Sequence, residues 1–391
     1  MIDSEGIIAT LLAEVLRDAY RYVPGIEQTR PTLVRRSRPH ELLIRSREGS
    51  RDVLERAAAR VGLHHRHFDP ALAAQRMQRL LALSPGLEAS YARLDDERSR
   101  RAMIDVLKLR VLGPHHARLA ITPREYREKQ AHADRELRSA EGTFEVSDPW
   151  FSPLSLYAAP VNGGESVALH SHSVDVVSVF LLGQYSYAAG NARVCAEPGD
   201  VVLDAGGCWG DTALYFAGLV GPAGKVYTFE FDPESLEIMR ANLALNPHLA
   251  SRIEVVERAL WDRSGETLEF VQAGRMTTLV GPGAEQPSTR PVSTITIDDF
   301  AQERGLERLD FLKMDVEGAE LNLLRGARAS IERFAPKLGI AAYHKDDDLV
   351  SIPEEIASVD PEYRFYLGSY SPVEEETVLF GASPRATSLS S

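Results

Sequence analysis

Acidic side chains stand at the ends of several apolar runs in the second half of this chain. Asp204 follows the run at 201–203, and Gly206, Gly207 and Gly210 come directly after it. Glycines at such a turn let the backbone pass close beneath a ligand, and the amino end of the following helix faces that ligand. The spacing therefore predicts a binding turn.

The carboxylate narrows the kind of ligand that this turn accepts. Dinucleotide-binding turns read Gly-x-Gly-x-x-Gly, whereas this one reads Asp-x-Gly-x-x-x-Gly from Asp204 to Gly210. A pyrophosphate needs bare backbone amides, and a carboxylate at the strand end repels it and suits a cationic cofactor. S-adenosylmethionine carries a sulfonium and an ammonium group, so it is the expected ligand. The alternative is that Asp204 only caps the following helix.

A second acid follows the next apolar run. Glu230 ends the segment 225–230, where a carboxylate accepts hydrogen bonds from both hydroxyls of a ribose. Nicotinamide-binding proteins share this feature, so Glu230 alone indicates only a nucleoside cofactor. Together with Asp204, it favours S-adenosylmethionine. Asp232 is expected to cap the helix that follows it. The third run leads into the segment 257–260, which would border the adenine, and Glu257 and Ala259 are its expected contacts.

The reactive end of the cofactor is expected beyond the fourth and fifth runs. Asp315 ends the fourth run, and Glu317 and Glu320 follow at the start of a helix, where carboxylates also stabilise the helix amino end. His344 stands at the end of the fifth run, which is the position expected of a general base. The predicted catalytic residues are therefore His344 and Asp315, with Asp315 also beside the cofactor.

Strands and helices alternate through the region that carries these residues. Such alternation predicts an α/β fold with a mostly parallel sheet, whose ligands bind beyond the carboxyl ends of the strands. Two final strands at 363–370 and 377–382 lack a helix between them, which predicts an antiparallel hairpin at one edge. The loop 281–290, rich in Gly, Pro and Ser, is the candidate for a mobile lid.

The front of the chain shows helical patterns only. We expect residues 1–140 to form a helical accessory domain and residues 141–391 to form the ligand-binding domain. The histidine-rich loop 62–69 is assigned no site. His170 and His172 with Asp175 fit either a metal site or the polar start of a helix, and both interpretations stay open.

Composition excludes several classes of partner. The formal net charge of the 391 residues is −13, and the excess of acids lies downstream of residue 150, which disfavours nucleic acid. The two cysteines give neither a disulfide framework nor a zinc motif. No run approaches the roughly 20 apolar residues of a membrane span, and the amino terminus lacks the pattern of a signal peptide. A soluble, cytoplasmic protein with a small-molecule partner is expected.

Together, the motifs resemble those of the FkbM family of S-adenosylmethionine-dependent methyltransferases. The resemblance extends from 165 to about 383 and rests on four motifs in a fixed order: DAGGCWGDT at 204–212, VSTITIDDF at 292–300, LKMDVEGAE at 312–320 and YHKDDDL at 343–349. It implies a seven-stranded, mostly parallel Rossmann-like methyltransferase sheet. It also implies that Thr212 belongs with the glycines to the cofactor site, and that the reaction is O-methylation of a hydroxyl on a sugar or secondary metabolite.

Two questions stay open at this point. Related sugar methyltransferases hold a divalent metal with acids after the fourth and fifth strands; Asp315 occupies the first such place, but Tyr343 and His344 stand where an acid pair is needed. The metal ligands are therefore unknown, and oligomeric state is equally open. The alternatives to a methyltransferase are a nicotinamide-dependent oxidoreductase or epimerase, and a non-catalytic binding protein with the same fold.

Overall fold

The computed structural model describes residues 6–18, 69–114, 116–147, 152–161, 165–271, 277–280 and 289–387. Its helices are α1 (Ile7–Asp18), α2 (Pro70–Ala82), α3 (Ser84–Arg93), α4 (Glu97–Leu112), α5 (Pro123–His132), α6 (Ser173–Asp175), α7 (Asp211–Val220), α8 (Pro233–Leu245), α9 (Pro247–Ala250), α10 (Ile297–Glu303), α11 (Glu320–Arg325), α12 (Arg328–Phe334) and α13 (Asp348–Val359). Ala133–Leu137 and Val176–Leu181 are π-helical, and Pro384–Thr387 forms a 3₁₀ turn.

Sixteen strands accompany these helices in the described part of the chain. They are β1 (Arg138–Phe144), β2 (Leu154–Pro160), β3 (Ser166–Ser171), β4 (Tyr187–Ala189), β5 (Ala192–Val194), β6 (Val201–Ala205), β7 (Lys225–Phe229), β8 (Ile253–Val256), β9 (Ala259–Leu260), β10 (Thr267–Val271), β11 (Thr278–Val280), β12 (Thr289–Ile295), β13 (Phe311–Met314), β14 (Lys337–Ala341), β15 (Arg364–Ser369) and β16 (Thr377–Ala382).

A seven-stranded sheet with the order β15-β16-β14-β13-β6-β7-β8 forms the centre of the fold. The five strands from β14 to β8 pair in parallel, and β16 is antiparallel to both of its neighbours. The predicted α/β class, the mostly parallel sheet and the antiparallel edge hairpin are confirmed. From β6 the chain builds outward through β7 and β8, then returns to build β13 and β14 on the other side. The strand order therefore reverses between β6 and β13, where open α/β sheets bind ligands.

Register brings the ends of the central strands to one edge of the sheet. Ala205 at the end of β6 pairs with Met314 of β13 on one side and with Phe229 of β7 on the other. The residues that follow these strands, which include Gly206 and Asp315, consequently meet at the same edge. Three predicted site regions are thus adjacent although they lie far apart in sequence.

A second sheet extends beside this edge. β10 pairs with β11 and with β12 in antiparallel fashion, and β12 pairs in parallel with β9. We refer to β10, β11 and β12 as the arm. Residues 281–288 of the predicted lid lie outside the described residues, whereas Thr289 and Arg290 begin β12.

The front helices pack directly on the central sheet. α1, α2, α3 and α4 contribute side chains to the same hydrophobic cluster as β6, β13 and β14. Next to α4, the amide of Asp95 donates to the carbonyl of Phe365 at 2.9 Å, and the amide of Leu367 donates to Ser99 Oγ at 2.9 Å. A two-domain division at residue 140 stays a prediction, and such a cut would fall inside β1. The histidine-rich loop lies outside the described residues except for Asp69, which caps α2.

One helix is shorter than the sequence indicated. The apolar pattern of 174–185 predicts a single helix, but the segment is helical only to Leu181. Gly183 then adopts a φ of +63°, a left-handed conformation that ends the segment. This end places Tyr185 beside the edge of the sheet. Within the described ranges, no helix has the length and apolar character to cross a membrane.

Candidate active site

A pocket opens at the carboxyl edge of the sheet, beneath the arm. It is bounded by the ends of β6, β7 and β13, by the segment before β10 and by β11. Its walls combine apolar side chains with three carboxylates and one guanidinium. The lining residues are Gly206, Cys208, Phe229, Glu230, Phe231, Arg258, Leu260, Thr277, Leu279, Asp315, Val316, Glu317 and Ala319.

The glycine turn after β6 forms one wall. Gly206 has a φ of +84°, and a Cβ at this residue would lie 2.0 Å from the carbonyl oxygen of Asp315. A Cβ at Gly207 would lie 2.1 Å from Thr228 Oγ1. A side chain at either position would displace its neighbours, and at Gly206 the neighbour is backbone. That these glycines contact a cofactor stays a prediction. Gly206 lines the pocket, whereas Gly207 and Gly210 shape the turn behind it.

Asp204 turns away from the pocket and is fully buried. Its Oδ2 accepts hydrogen bonds from the hydroxyls of Thr212 and Thr228, both at 2.9 Å. Its Oδ1 lies 3.0 Å from Lys313 Nζ. The residue that precedes α7 is Gly210, so Asp204 does not cap that helix. Its direct contact with a cofactor stays a prediction, and Thr212 acts here as a partner of the carboxylate.

Lys313 completes this buried group, and the sequence interpretation gave it no role. Its ammonium donates to the carbonyls of Gly206 at 2.7 Å and Ala205 at 3.2 Å, and its side chain is 2% exposed. Burial lowers the pKa of Lys313, but the carboxylates of Asp204 and Asp315 outweigh that effect and raise it. A charged lysine therefore ties the turn to β13.

Glu230 forms the opposite wall of the pocket. Its carboxylate is 9% exposed, and Oε1 accepts the amides of Phe231 at 2.6 Å and Asp232 at 2.8 Å. Burial is the largest influence and raises the pKa of Glu230 to about 7, although these amides oppose it. Asp232 accepts the amide of Ser235 at 3.0 Å and caps α8, which confirms that prediction.

Beyond Glu230, the residues at the pocket differ by one position from those predicted. Arg258 and Leu260 line it, whereas Glu257 is exposed and pairs with Arg240, and Ala259 is buried in β9. Successive side chains of an extended segment point to opposite sides, so an error of one residue exchanges the two faces. The pocket lining thus contains neither Glu257 nor Ala259.

At the other end of the pocket, Asp315 and His344 come together as predicted. His344 Nε2 lies 3.5 Å from Asp315 Oδ1. Asp315 Oδ2 accepts the hydroxyl of Tyr185 at 3.0 Å, and its Oδ1 accepts that of Tyr343 at 3.3 Å. Asp315 lines the pocket with a side chain that is 22% exposed, whereas His344 lies behind it and is 9% exposed.

Two further carboxylates surround the imidazole of His344. Its Nδ1 lies 2.8 Å from Glu320 Oε1, and its Nε2 lies 3.7 Å from Glu317 Oε2. Burial alone would lower the pKa of His344, but the carboxylates of Glu320, Glu317 and Asp315 outweigh burial and raise the pKa to about 10. At neutral pH the ring carries a positive charge and accepts no proton. Its assignment as the general base therefore stays a prediction, with the condition that the ring first loses its own proton.

Glu317 and Glu320 have separate positions at the start of α11. Glu320 is the first residue of the helix, and its Oε1 accepts the amides of Val316 at 3.0 Å and Gly318 at 3.4 Å. This contact agrees with the helix-start interpretation. Glu317 precedes the helix at a φ of +53°, a conformation that non-glycine residues rarely adopt. Its carboxylate points to His344 and lines the pocket.

The histidines near α6 do not form a comparable cluster. The ring of His170 contacts that of Phe144 at 5.7 Å, and its backbone bonds to Asn242. Among the described residues, one group of His and acid side chains has ligand atoms within 4.8 Å of one another, namely Asp315, Glu317 and His344. The metal interpretation of the segment around His170 therefore gains no support.

Residues 193–365, which contain every predicted site residue, match the family model described as the methyltransferase FkbM domain. The chain carries a methyltransferase FkbM domain. The match begins at β5 and ends within β15, so it includes both walls of the pocket. The front helices and β16 lie outside it.

Two curated relatives are similar to part of this chain. The 2-O-methyltransferase NoeI of Sinorhizobium fredii is 28% identical over an alignment of 153 residues that covers 35% of this chain and 61% of NoeI. The methyltransferase sdnD of Sordaria araneosa is 30% identical over an alignment of 156 residues that covers 32% of this chain and 59% of sdnD. The chain thus spans about three fifths of the length of each relative.

Among solved structures, the methyltransferase FkbM of Methylobacillus flagellatus superposes with a TM-score of 0.48 at 21% identity. The alignment covers 78% of this chain and 60% of that protein. The fold assignment rests on the sheet topology described above.

The site contains residues that the sequence interpretation missed, and one of them, Tyr185, precedes the matched range 193–365. Lys313 gave a usable signal, because a lysine inside an apolar strand needs a buried partner of opposite charge. Tyr185 gave none, since it reaches Asp315 only through the end of the π-helical segment. Arg258 was missed because side chains alternate between the two faces of an extended segment, and the sequence does not show which face meets the pocket. Arg258 lines the pocket, whereas Lys313 and Tyr185 bond to Gly206 and Asp315, which line it.

Proposed function

We propose that this chain is an enzyme that transfers a methyl group from S-adenosylmethionine to a hydroxyl of a small molecule. The observation that carries the proposal is one pocket with two acidic ends, Glu230 at β7 and Asp315 at β13, on either side of Gly206. The FkbM domain supports a methyltransferase, and the name of NoeI supports an oxygen acceptor. The acceptor class that we propose is a sugar or secondary metabolite.

The pocket suits the proposed cofactor in both charge and shape. Glu230 stands where a carboxylate would accept the ribose hydroxyls, and Phe231 and Leu260 offer apolar contact to a base. Asp315 and Glu317 give the other end a negative field for the sulfonium and ammonium groups. Asp204 contributes indirectly in this proposal, because it holds the turn through Lys313.

Bound S-adenosylmethionine supplies a methyl group on a cationic sulfur, which the acceptor oxygen takes by in-line displacement. The protein aligns the acceptor, and such alignment can lower the activation free energy by about 7–11 kcal/mol. Proton transfer accelerates a reaction by about 10²–10⁴-fold, which corresponds to a smaller reduction of about 3–5 kcal/mol. Asp315 touches the pocket and is the group proposed to receive the hydroxyl proton. Tyr185 and Tyr343 fix its carboxylate through their hydroxyls. His344 does not line the pocket, so in this proposal it influences the acceptor only through the Asp315 carboxylate, which lies 3.5 Å from its Nε2.

Two further parts of the proposal concern partners and location. The formal charge of −13 opposes contact with nucleic acid phosphates, so the proposed acceptor is not a nucleic acid. Neither Cys195 nor Cys208 forms a disulfide, which fits the proposed cytoplasmic location.

The direct test is methyl transfer by the purified chain. It is incubated with S-adenosylmethionine that carries an isotope-labelled methyl group and with a panel of hydroxylated sugars and polyketides. Mass spectrometry then follows labelled products and S-adenosylhomocysteine. We expect one acceptor class to gain a labelled methyl on oxygen, and Asp315→Asn to lose turnover. Label on nitrogen or carbon alone, or cofactor binding without transfer to any hydroxyl, would contradict the proposal.

A further inference from the structure

Asp315, Glu317 and His344 each offer one ligand atom at the inner end of the pocket, and these atoms lie within 4.8 Å of one another. His344 Nε2 lies 3.5 Å from Asp315 Oδ1 and 3.7 Å from Glu317 Oε2. Neighbouring ligands around a cation with 2.1 Å bonds are about 3.0 Å apart in an octahedral site and about 3.4 Å apart in a tetrahedral one. The two separations from Nε2 are therefore close to those of a coordinated ion.

The imidazole is oriented as metal-binding histidines are. Its Nδ1 faces Glu320 Oε1 at 2.8 Å, and Glu320 is 1% exposed and fixed by the amides of Val316 and Gly318. A histidine ligand usually donates its second ring N–H to a carboxylate, which sets the tautomer and turns the other nitrogen to the metal. Here that other nitrogen is Nε2, which faces Asp315 and Glu317 and would exchange its proton for the metal ion on binding.

The backbone before α11 sets the position of the second acid. Glu317 has a φ of +53° and Gly318 a φ of +94°. A left-handed conformation is unfavourable for a glutamate and needs support from its surroundings. In this conformation the Glu317 carboxylate lies 3.7 Å from Nε2 of His344.

We propose that Asp315, Glu317 and His344 bind one divalent first-row transition metal ion, with Mn²⁺ as a suitable occupant. One imidazole nitrogen with two carboxylates favours such an ion over Ca²⁺, which prefers six to eight oxygen ligands. Asp315 and Glu317 both line the pocket, so the remaining coordination positions face the pocket. An ion there would act as a Lewis acid on an acceptor oxygen. The proposal does not depend on methyl transfer.

Binding of Mn²⁺ alone to the full chain tests the proposal. The protein is treated with chelator, and Mn²⁺ is titrated in the absence of cofactor and followed by calorimetry and electron paramagnetic resonance. We expect one Mn²⁺ per chain and a nitrogen coupling from His344 in the pulsed spectrum. Glu317→Gln, which keeps the side-chain shape, should weaken binding by about 100-fold, and Glu320→Gln by about 10–100-fold as a support for the ligand.

A matched control and a folding control make the result decisive. Asp347 lies in the same loop, is exposed, and forms no side-chain cap to α13, so Asp347→Asn should bind Mn²⁺ as the wild type does. His344→Gln should abolish the nitrogen coupling, and circular dichroism checks that each variant is folded. Absence of Mn²⁺ binding to the wild type, equal binding by Glu317→Gln, or a coupling that survives His344→Gln would overturn the proposal.

Discussion

Lys313 Nζ lies 3.0 Å from Asp204 Oδ1, and the two side chains are 2% and 0% exposed. The pair joins β6 to β13 at the point where the strand order reverses. The same ammonium holds the carbonyl of Gly206, which lines the pocket. The Asp204 carboxylate, which the sequence predicts to attract a cationic ligand, is therefore neutralised inside the protein by Lys313. Lys313 also holds the glycine turn through the Gly206 carbonyl.

Replacing Lys313 should destabilise the protein. Lys313→Met leaves Asp204 buried without its cation, and removal of one partner from a buried pair costs about 3–5 kcal/mol. The double variant with Asp204→Asn should recover part of that loss, because no uncompensated charge remains. Urea unfolding of the single and double variants measures both effects. A Lys313→Met protein as stable as the wild type would contradict the assigned pairing.

Gly206 and Gly221 both have left-handed backbones, but their surroundings differ. Comparing them separates the effect of a steric clash from the effect of backbone strain. A Cβ at Gly206 meets a backbone oxygen at 2.0 Å, whereas a Cβ at Gly221, whose φ is +65°, has no atom within 4 Å. Gly221→Ala should cost about 1–2 kcal/mol for the backbone alone. Gly206→Ala should cost more and should also prevent binding of S-adenosylmethionine. Thermal unfolding and calorimetry compare the two, and equal effects would show that the contact with Asp315 is unimportant.

The sheet and its ligand edge were predictable because apolar runs ending in Asp, Glu or His are a local signal. Asp204, Glu230, Asp315 and His344 were located in that way. Contacts between distant segments leave no such signal, which is why Tyr185 was missed. Glu257 was chosen over Arg258 because a short extended segment has no pattern that fixes its face. The helical pattern of residues 1–140 does not show that the front helices share a hydrophobic core with the central sheet, because that core is formed by contacts between distant segments.

Cofactor binding should depend on the protonation of Glu230. With a pKa of about 7, this carboxyl is largely protonated at pH 6 and ionised at pH 8, and only the ionised form accepts both ribose hydroxyls well. We expect S-adenosylmethionine to bind more tightly as pH rises from 6 to 8. Glu230→Gln should bind about 10–100-fold more weakly, and its affinity should change little with pH. A wild-type affinity that is constant across this range would contradict the role of Glu230.

The same carboxyl should affect stability in the opposite direction. Its pKa is raised from 4.5 to about 7 in the folded state, so folding takes up a proton between these values. The stability that Glu230 contributes is complete below about pH 4.5 and is lost as pH rises through 7. Glu230→Gln should therefore be more stable than the wild type at pH 8, by at most about 3 kcal/mol. Thermal unfolding at pH 5 and pH 8 shows whether the difference grows with pH.

Arg110 connects a front helix to the loop that carries His344. Its guanidinium donates to the carbonyls of Asp346 at 2.9 Å and Ala342 at 3.2 Å, and Nε pairs with Glu374 at 2.9 Å. Arg110→Lys keeps the charge but loses the two-pronged contact. We expect kcat to fall about tenfold or more with little change in KM, because the loop shifts while the pocket stays formed.

Arg100 provides a matched control for Arg110 in the same helix. It bonds to the carbonyl of Leu94 at 2.7 Å and to Glu97, both within the front helices. Arg100→Lys should leave kcat unchanged. If both variants lose turnover equally, the effect belongs to the front helices in general and not to the loop around His344.

Calorimetric titration of the purified chain with S-adenosylmethionine and, separately, with NAD tests the central claim most directly. We predict binding of one S-adenosylmethionine per chain, loss of that binding in Gly206→Ala, and no binding of NAD. Binding of NAD without S-adenosylmethionine, or of neither molecule, would contradict the account.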